Sequence, residues 1–160
     1  MASQDKVQDT VQDSVQDTVS GVMAFLASYR SAFEAYDTEA IVGHYVFPCT
    51  IVGDSETPLP VTFKGADQLS AGVDYILSLH RQIGVTSGPP QLLEITEFSP
   101  RLAGMMLRSQ FRDAHGKPLY DFQGFYSLAR TGAGFRIAAI SHNQLPRLLA
   151  CAGRPSIPIT

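Results

Sequence analysis

The sequence predicts a single α+β domain in which a strongly bent antiparallel sheet wraps around a long N-terminal helix to form a cone. First, residues 101–143 read as three long strands joined by short, glycine-containing connections. Second, apolar residues at 22–36 recur three and four positions apart, as on one face of an amphipathic helix. Third, the order helix, helix, two short strands, helix, four strands is typical of helices packed on one face of an antiparallel sheet.

The three long strands predict which side chains share a face, because side chains alternate along a strand. The connections at 114–117 and 131–133 set the pairing. The predicted pairs are Asp113–Pro118, Phe111–Tyr120, Leu128–Phe135 and Tyr126–Ile137. The inward face then carries Met105, Leu107, Ser109, Phe111, Tyr120, Phe122, Tyr126, Leu128, Phe135, Ile137 and Ala139, with Ser141 and Asn143 at one end.

The opposite face of this meander mixes apolar and charged residues, which is unusual for a surface in full contact with water. A symmetric homodimer that packs these outer faces together would explain the mixture. Asp121 and His142 lie opposite each other in the predicted register. A structural or interface hydrogen bond is the favoured interpretation, and an imidazole oriented for general-base work is the alternative.

Composition narrows the function classes. A chain of 160 residues with 44% hydrophobic and 17% charged residues fits one globular domain. The net charge of −3 gives no reason to expect nucleic acid or an anionic membrane as partner. The polar N-terminus lacks a signal peptide pattern, so the cytoplasm is the expected compartment. Cys49 and Cys151 have no metal-ligand spacing, no cofactor is predicted, and whether the two cysteines pair stays open.

Residues 7–18 form a tandem repeat, VQDT-VQDS-VQDT, whose valines recur every four residues. Its polar composition predicts that residues 1–18 are an extension, disordered or a frayed helix, and an extra helix that runs into the domain is the alternative. The domain is predicted over 19–145, and 146–160 is predicted to be a tail with a short turn near 147–151.

The remaining elements follow from local signals. Asp37 is a good N-cap for a short helix, TEAIVGHY, and Gly84 ends a third helix predicted over 66–83. CTIVG, VTFKG and QLLEITEF read as strands.

This order of elements, with the run YRSAFEAYDTEAIVGHY, resembles the nuclear transport factor 2-like superfamily over about residues 20–145. That superfamily includes polyketide-cyclase-like proteins and ketosteroid isomerase, and it contains both enzymes and binding modules. The resemblance implies the cystatin-like cone fold. The Tyr36–Asp37 junction is also similar to scytalone dehydratase, which implies His80 and Tyr75 around a bound water; Tyr36 in the core and Asp37 as a plain cap are the alternatives.

Ketosteroid isomerase uses a carboxylate base and two hydrogen-bond donors to the enolate oxygen. The resemblance places Tyr29 at the position of the tyrosine that donates to the enolate oxygen, and Tyr126 near the position of the second donor. The base is implied near Gly53, and Asp54 follows one residue later, which turns a strand side chain to the other face unless a bulge intervenes. The implied catalytic candidates are therefore Tyr29, Tyr126 and Asp54, and Asp54 is a base only if the strand bulges inward.

The inward face together with the helices predicts a mostly apolar pocket with a few polar groups, as in small-molecule sites. A filled aromatic core is the alternative. The expected ligand is a small apolar or aromatic molecule, and the rival function is a dimerisation or scaffold module that uses the outer sheet face. The sequence does not decide between binding and catalysis. The predicted pocket residues are His80, Ser109, Phe111, Tyr120, Phe122, Phe135, Ile137, Ser141 and Asn143.

Overall fold

The computed structural model describes residues 2–58 and 60–153, and side chains from Lys6 onward. The elements in chain order are α1 (Ala2–Glu34), α2 (Thr38–Val42), β1 (Tyr45–Gly53), β2 (Pro60–Phe63), α3 (Ala66–Ile83), β3 (Pro90–Ser99), β4 (Leu102–Arg112), β5 (Pro118–Thr131), β6 (Gly134–His142) and α4 (Gln144–Cys151). The strands form one sheet in the order β2-β1-β6-β5-β4-β3, in which only the β1–β6 pair is parallel. The predicted α+β cone is confirmed.

Helix α1 is continuous through the repeat and into the domain. Val7, Val11 and Val15 are exposed on its first half, whereas Val22 and Phe25 are buried in the core. The change in burial reflects the tertiary environment, because a helix surface becomes buried only where the sheet lies against it.

The junctions between the helices follow the predicted local signals. Asp37 caps α2 by accepting a hydrogen bond from the backbone N–H of Ala40 at 3.0 Å. Gly84 ends α3 in the left-handed conformation, at φ 83°. Between α1 and α2, the Tyr36 hydroxyl donates to the carbonyl of Val85 at 2.5 Å and so ties this junction to the end of α3.

The β4–β5 register is confirmed over most of its length, since Phe111 lies opposite Tyr120 and Met105 lies opposite Tyr126. The Asp113–Pro118 pair is wrong: an irregularity after Phe111 places Arg112 opposite Pro118. Asp113 instead accepts backbone hydrogen bonds from the turn at His115 and Lys117.

The β5–β6 register differs from the prediction for two reasons. The turn is tighter, with Thr131 opposite Gly134, and this places Leu128 opposite Ile137 instead of Phe135. A bulge at Ala138 then inserts one extra residue on β6. Beyond the bulge the alternation is reversed, so Ile140 is buried and pairs with Tyr126.

Three predictions fail because of the tighter turn and the bulge. Ser141 is exposed instead of facing the interior, and Ala139 leaves the inward face. His142 lies opposite Gly124, so it does not face Asp121. Phe135 and Ile137 precede the bulge and remain buried, as predicted.

The C-terminal segment also differs from the prediction. Residues 144–151 form the helix α4 where a tail with a short turn was expected, and its Leu148 and Leu149 are buried. Among the described residues, none of the helices is both long and apolar enough to cross a membrane.

Candidate functional site

Three tyrosines meet in the interior between α1, β1 and β5. The hydroxyl groups of Tyr29 and Tyr45 are 2.8 Å apart, within hydrogen-bond distance. Burial, and then the neighbouring Tyr45, raises the pKa of Tyr29 well above its ordinary value. Burial raises the pKa of Tyr126 in the same way, with a further contribution from Tyr29. All three therefore remain protonated hydrogen-bond donors at neutral pH.

Asp54 does not join this tyrosine cluster. It is exposed just beyond the end of β1, and its backbone N–H donates to the carbonyl of His142 at 2.9 Å. The bulge that would have turned its side chain inward is absent at this end of the β1–β6 pair, where Gly53 lies in register with His142. The structure thus brings Tyr29 and Tyr126 together and places Asp54 on the surface.

A second polar group lies within the apolar interior, at the opposite end of the core. The Nε2 atom of His80 is 2.6 Å from the Tyr120 hydroxyl, and the Gln144 side-chain amide donates to the same hydroxyl at 3.2 Å. All three residues are buried. Gln144 donates to the Tyr120 oxygen, and the Tyr120 hydroxyl and Nε2 of His80 share a hydrogen bond whose donor depends on the tautomer of the imidazole.

The imidazole in this arrangement is neutral. Burial lowers the pKa of His80 to about 4, so the ring is uncharged at neutral pH. Burial also raises the pKa of Tyr120 above its ordinary value. The pair therefore serves as a neutral, oriented hydrogen-bonding site, and transfer of the phenol proton to His80 is strongly unfavourable.

Aromatic rings surround this pair. The Phe111 ring stacks on Tyr120 with centroids 4.8 Å apart and lies 4.7 Å from the His80 ring. The Phe122 ring also stacks on Phe111, with centroids 6.0 Å apart. Leu148 and Leu149 of α4 pack against the same cluster. The space lined by His80, Phe111, Tyr120 and Phe122 and covered by these two leucines is called the chamber below.

The described residues form cavities of two very different sizes near the chamber. A cavity of about 10 Å³ reaches His80 from the side of Phe33, Tyr36 and Val85, which is room for about one water molecule. An open groove of about 700 Å³ runs beside α4. The residues that line this groove are Asp54, Gln110, Pro118, Leu119, Tyr120, Asp121, Asn143, Pro146, Arg147, Ala150 and Cys151. Tyr120 alone belongs both to the groove lining and to the chamber.

The predicted site residues therefore fall into separate places. His80, Phe111, Tyr120 and Phe122 line the chamber, and Asn143 lies with Asp54 in the groove. Phe135 and Ile137 belong to the main core with Tyr126. Ser109 is buried, and Ser141 is exposed.

Sequence reasoning missed Tyr45 and Gln144, and it placed His142 on the outer face of the sheet. Tyr45 begins β1, where the pattern predicted the end of a helix. His142 faces inward because of the β6 bulge, and its ring lies 5.9 Å from that of Phe122. A signal for α4 was present in the sequence, because Leu145, Leu148 and Leu149 recur at helical spacing.

A family model described as NTF2-like protein (DUF6841) matches residues 17–144. The chain belongs to this NTF2-like family. The match covers the cone from the second half of α1 to the first residue of α4. No curated protein matches the chain in sequence.

Solved structures support the NTF2-like fold at low sequence identity. An NTF-2-like protein of unknown function from Shewanella oneidensis MR-1 has a TM-score of 0.63 at 12% identity, over 79% of this chain and 98% of that one. A ketosteroid isomerase-like protein from Erwinia carotovora atroseptica has a TM-score of 0.58 at 16% identity, over 79% and 95% of the two chains. An NTF2-like protein with a cystatin-like fold from Novosphingobium aromaticivorans has a TM-score of 0.61 at 16% identity, over 85% and 87%. At these identities the likeness establishes the fold alone.

Proposed function

We propose that this NTF2-like protein binds a small, largely apolar or aromatic molecule that carries a hydroxyl group, at the end of the cone where the groove meets the chamber. One observation carries the proposal: Tyr120 borders a groove of ligand size on one side and the buried His80–Gln144 hydrogen bonds on the other. Small-molecule sites combine an apolar lining with a few oriented polar groups in this way.

The chemistry of the lining sets the ligand class. Phe111 and Phe122 offer ring faces for stacking, which favours an aromatic ligand. His80 and the Tyr120 hydroxyl already share one hydrogen bond, so the position open to a hydroxyl group on the ligand is the one on the Tyr120 oxygen that Gln144 fills. No net charge is needed on the ligand, because the polar groups of the chamber are uncharged at neutral pH.

The test compares 4-fluorophenol with 4-fluorotoluene by fluorine NMR titration, since the two probes differ only in the polar group. The wild-type protein is expected to prefer the phenol. The double variant His80→Leu/Tyr120→Phe removes both polar partners. We expect the preference for the phenol to fall by about three- to tenfold, which corresponds to the loss of one hydrogen bond. The preference is the ratio of the two affinities in one protein. A general loosening of the chamber would weaken the binding of both probes and leave this ratio unchanged.

Tyr75→Phe is the matched control, since Tyr75 is an exposed tyrosine on α3. It is expected to leave the preference unchanged. Equal affinity of wild-type protein for both probes, or the absence of saturable binding, would contradict the proposal.

A second function, homodimerisation through the outer sheet face, is favoured by a separate observation. Phe98, Leu102 and Phe125 are 68%, 51% and 36% exposed, respectively. The rings of Phe98 and Phe125 both lie over Gly104 on the outer side of the sheet. Exposed aromatic residues gathered on one face are typical of an interface.

Light scattering after gel filtration tests the dimer. The wild-type protein is expected at twice the 17.4 kDa chain mass, and Phe98→Asp is expected to shift it to one chain, since a buried unpaired charge is costly at an interface. Val61→Asp is the control because Val61 is also exposed but lies on β2, at the other edge of the sheet. A wild-type mass of one chain would overturn this second function.

A further inference from the structure

Helix α4 fills the place in which a ligand would contact the chamber. Leu148 is 0% exposed and Leu149 is 4% exposed, and both pack in one cluster with Phe111, Tyr120 and Phe122. The cavity that reaches His80 from the side of Phe33, Tyr36 and Val85 has room for about one water molecule, and no residue of α4 lines it. A ring that enters the chamber from the groove side has to displace the two leucines, because they pack directly on the aromatic lining.

Polar contacts hold α4 in place from outside the chamber. The Arg147 guanidinium bonds the carboxylate of Asp121 through Nη2 and the carbonyl of the same residue through Nε. These two contacts are called the latch. At the last residue of α4, the Cys151 thiol donates to the carbonyl of Leu119 at 3.3 Å. Gln144, at the first residue, reaches the Tyr120 hydroxyl inside.

Asp121 is shared with a second arginine, and this provides an internal comparison. Arg108 on β4 donates to the other carboxylate oxygen of Asp121, at 3.0 Å from Nε and 2.7 Å from Nη2. Arg108 and Arg147 are similarly exposed, at 45% and 49%. Only Arg147 connects the sheet to α4, so the two ion pairs have different consequences for the helix.

We propose that α4 is a lid whose two buried leucines occupy the binding site for a hydroxylated aromatic molecule, and that the Arg147–Asp121 latch sets how often the lid opens. This inference rests on the proposed function for the identity of the ligand. Gln144 takes the position of the ligand hydroxyl on Tyr120 in the closed state, and Leu148 and Leu149 take the position of its ring. Entry of the ligand ring into the chamber and closure of the lid are then mutually exclusive, and the groove, which α4 lines in part, is the side from which the ligand enters.

The two cysteines provide a test of the lid that needs no ligand. Cys151 lies at the end of α4 and is freed when the helix leaves, whereas Cys49 is buried in the main core and becomes reactive only on wider unfolding. Timed labelling with N-ethylmaleimide, read for each cysteine by peptide mass spectrometry, measures both rates in one sample.

Arg147→Gln is expected to raise the labelling rate of Cys151 by about two- to fivefold, the range for loss of an exposed ion pair, with no change at Cys49. Arg108→Gln, which breaks the other ion pair of Asp121, is expected to leave the Cys151 rate unchanged. The affinity for 4-fluorophenol should rise in Arg147→Gln by the same factor as the labelling rate, because affinity scales with the fraction of open protein.

The outcomes distinguish a failure of the latch from a failure of ligand binding. Equal Cys151 rates in the two arginine variants would overturn the latch, even if 4-fluorophenol binds. A faster Cys151 rate without binding of 4-fluorophenol to any variant would overturn α4 as the occupant of a ligand site, and the proposed function with it. A parallel rise at Cys49 would show general destabilisation and would also overturn the latch.

Discussion

At the scale of single residues, His80 is a titratable group held neutral in the core. It is 2% exposed, and its imidazole is hydrogen-bonded to the Tyr120 hydroxyl. The sequence predicted both residues in the pocket, because each lies among apolar neighbours on its own element. It did not predict Gln144 as their third partner, since that contact depends on where α4 docks.

The pH dependence of folding follows from the pKa of His80, which burial lowers to about 4. Between that value and about 6.5 the unfolded chain binds a proton that the folded protein does not, so stability falls as the pH falls through this window. Above about 6.5 the contribution of His80 is fully present. The loss from this residue over the window is on the order of 3 kcal/mol.

The variant His80→Gln is expected to flatten the plot of the free energy of unfolding, from urea denaturation, against pH between 4 and 6.5. Burial also lowers the pKa of His44 and of His142, so a part of the slope remains. The exposed His115 provides the control variant His115→Gln, which should retain the wild-type slope. An unchanged slope in His80→Gln would show that His80 does not remain neutral in the folded protein.

At the scale of elements, β6 shows the limit of prediction from alternation. In FRIAAISH the spacing of the large apolar residues changes from two to three between Ile137 and Ile140, and strict alternation through this stretch missed the extra residue at Ala138. The bulge lies in a strand that pairs with β1 on one side and β5 on the other. It decides that His142 faces inward and Ser141 outward, which sequence alone could not establish.

Helix α3, which carries His80, contains Gly72 and is followed by Gly84. Substitution of these two glycines is expected to change stability in opposite directions. Gly72 lies within the helix, and an added Cβ would meet only the Phe63 ring, at 3.9 Å. Gly72→Ala is therefore expected to stabilise the protein by about 0.5–1 kcal/mol through helix propensity. Gly84 has a φ of 83°, so Gly84→Ala is expected to destabilise it by about 1–2 kcal/mol.

Urea denaturation of both variants measures these changes in one experiment. Opposite signs are expected, because the first variant restricts the unfolded chain and the second strains the folded backbone. Destabilisation by Gly72→Ala would contradict the placement of that residue on an open side of the helix.

At the scale of the whole molecule, the order of elements and the periodicity of α1 were sufficient to predict the cone and its family. The same reasoning does not extend to the N-terminal repeat. Its valines recur at helical spacing but are exposed, because no sheet covers them. The C-terminal helix was missed for the reverse reason: its apolar residues are few, and their burial depends on a surface that only the folded cone provides.

The three catalytic candidates do not form one site in the folded protein. Tyr29 and Tyr126 lie in the main core, and Asp54 lies in the groove at the surface. The chamber at the α4 end contains different polar residues, His80, Tyr120 and Gln144. Binding at the chamber therefore does not depend on the roles that the ketosteroid isomerase resemblance implies for the first three residues.

The most direct test of binding under α4 is a crystal structure of the protein grown with 4-fluorophenol. The expected result is density for the ring in the place of Leu148 and Leu149, its hydroxyl within hydrogen-bond distance of Tyr120, and α4 displaced from its closed position. Density confined to the protein surface, with Leu148 and Leu149 still filling the chamber, would contradict binding at this site.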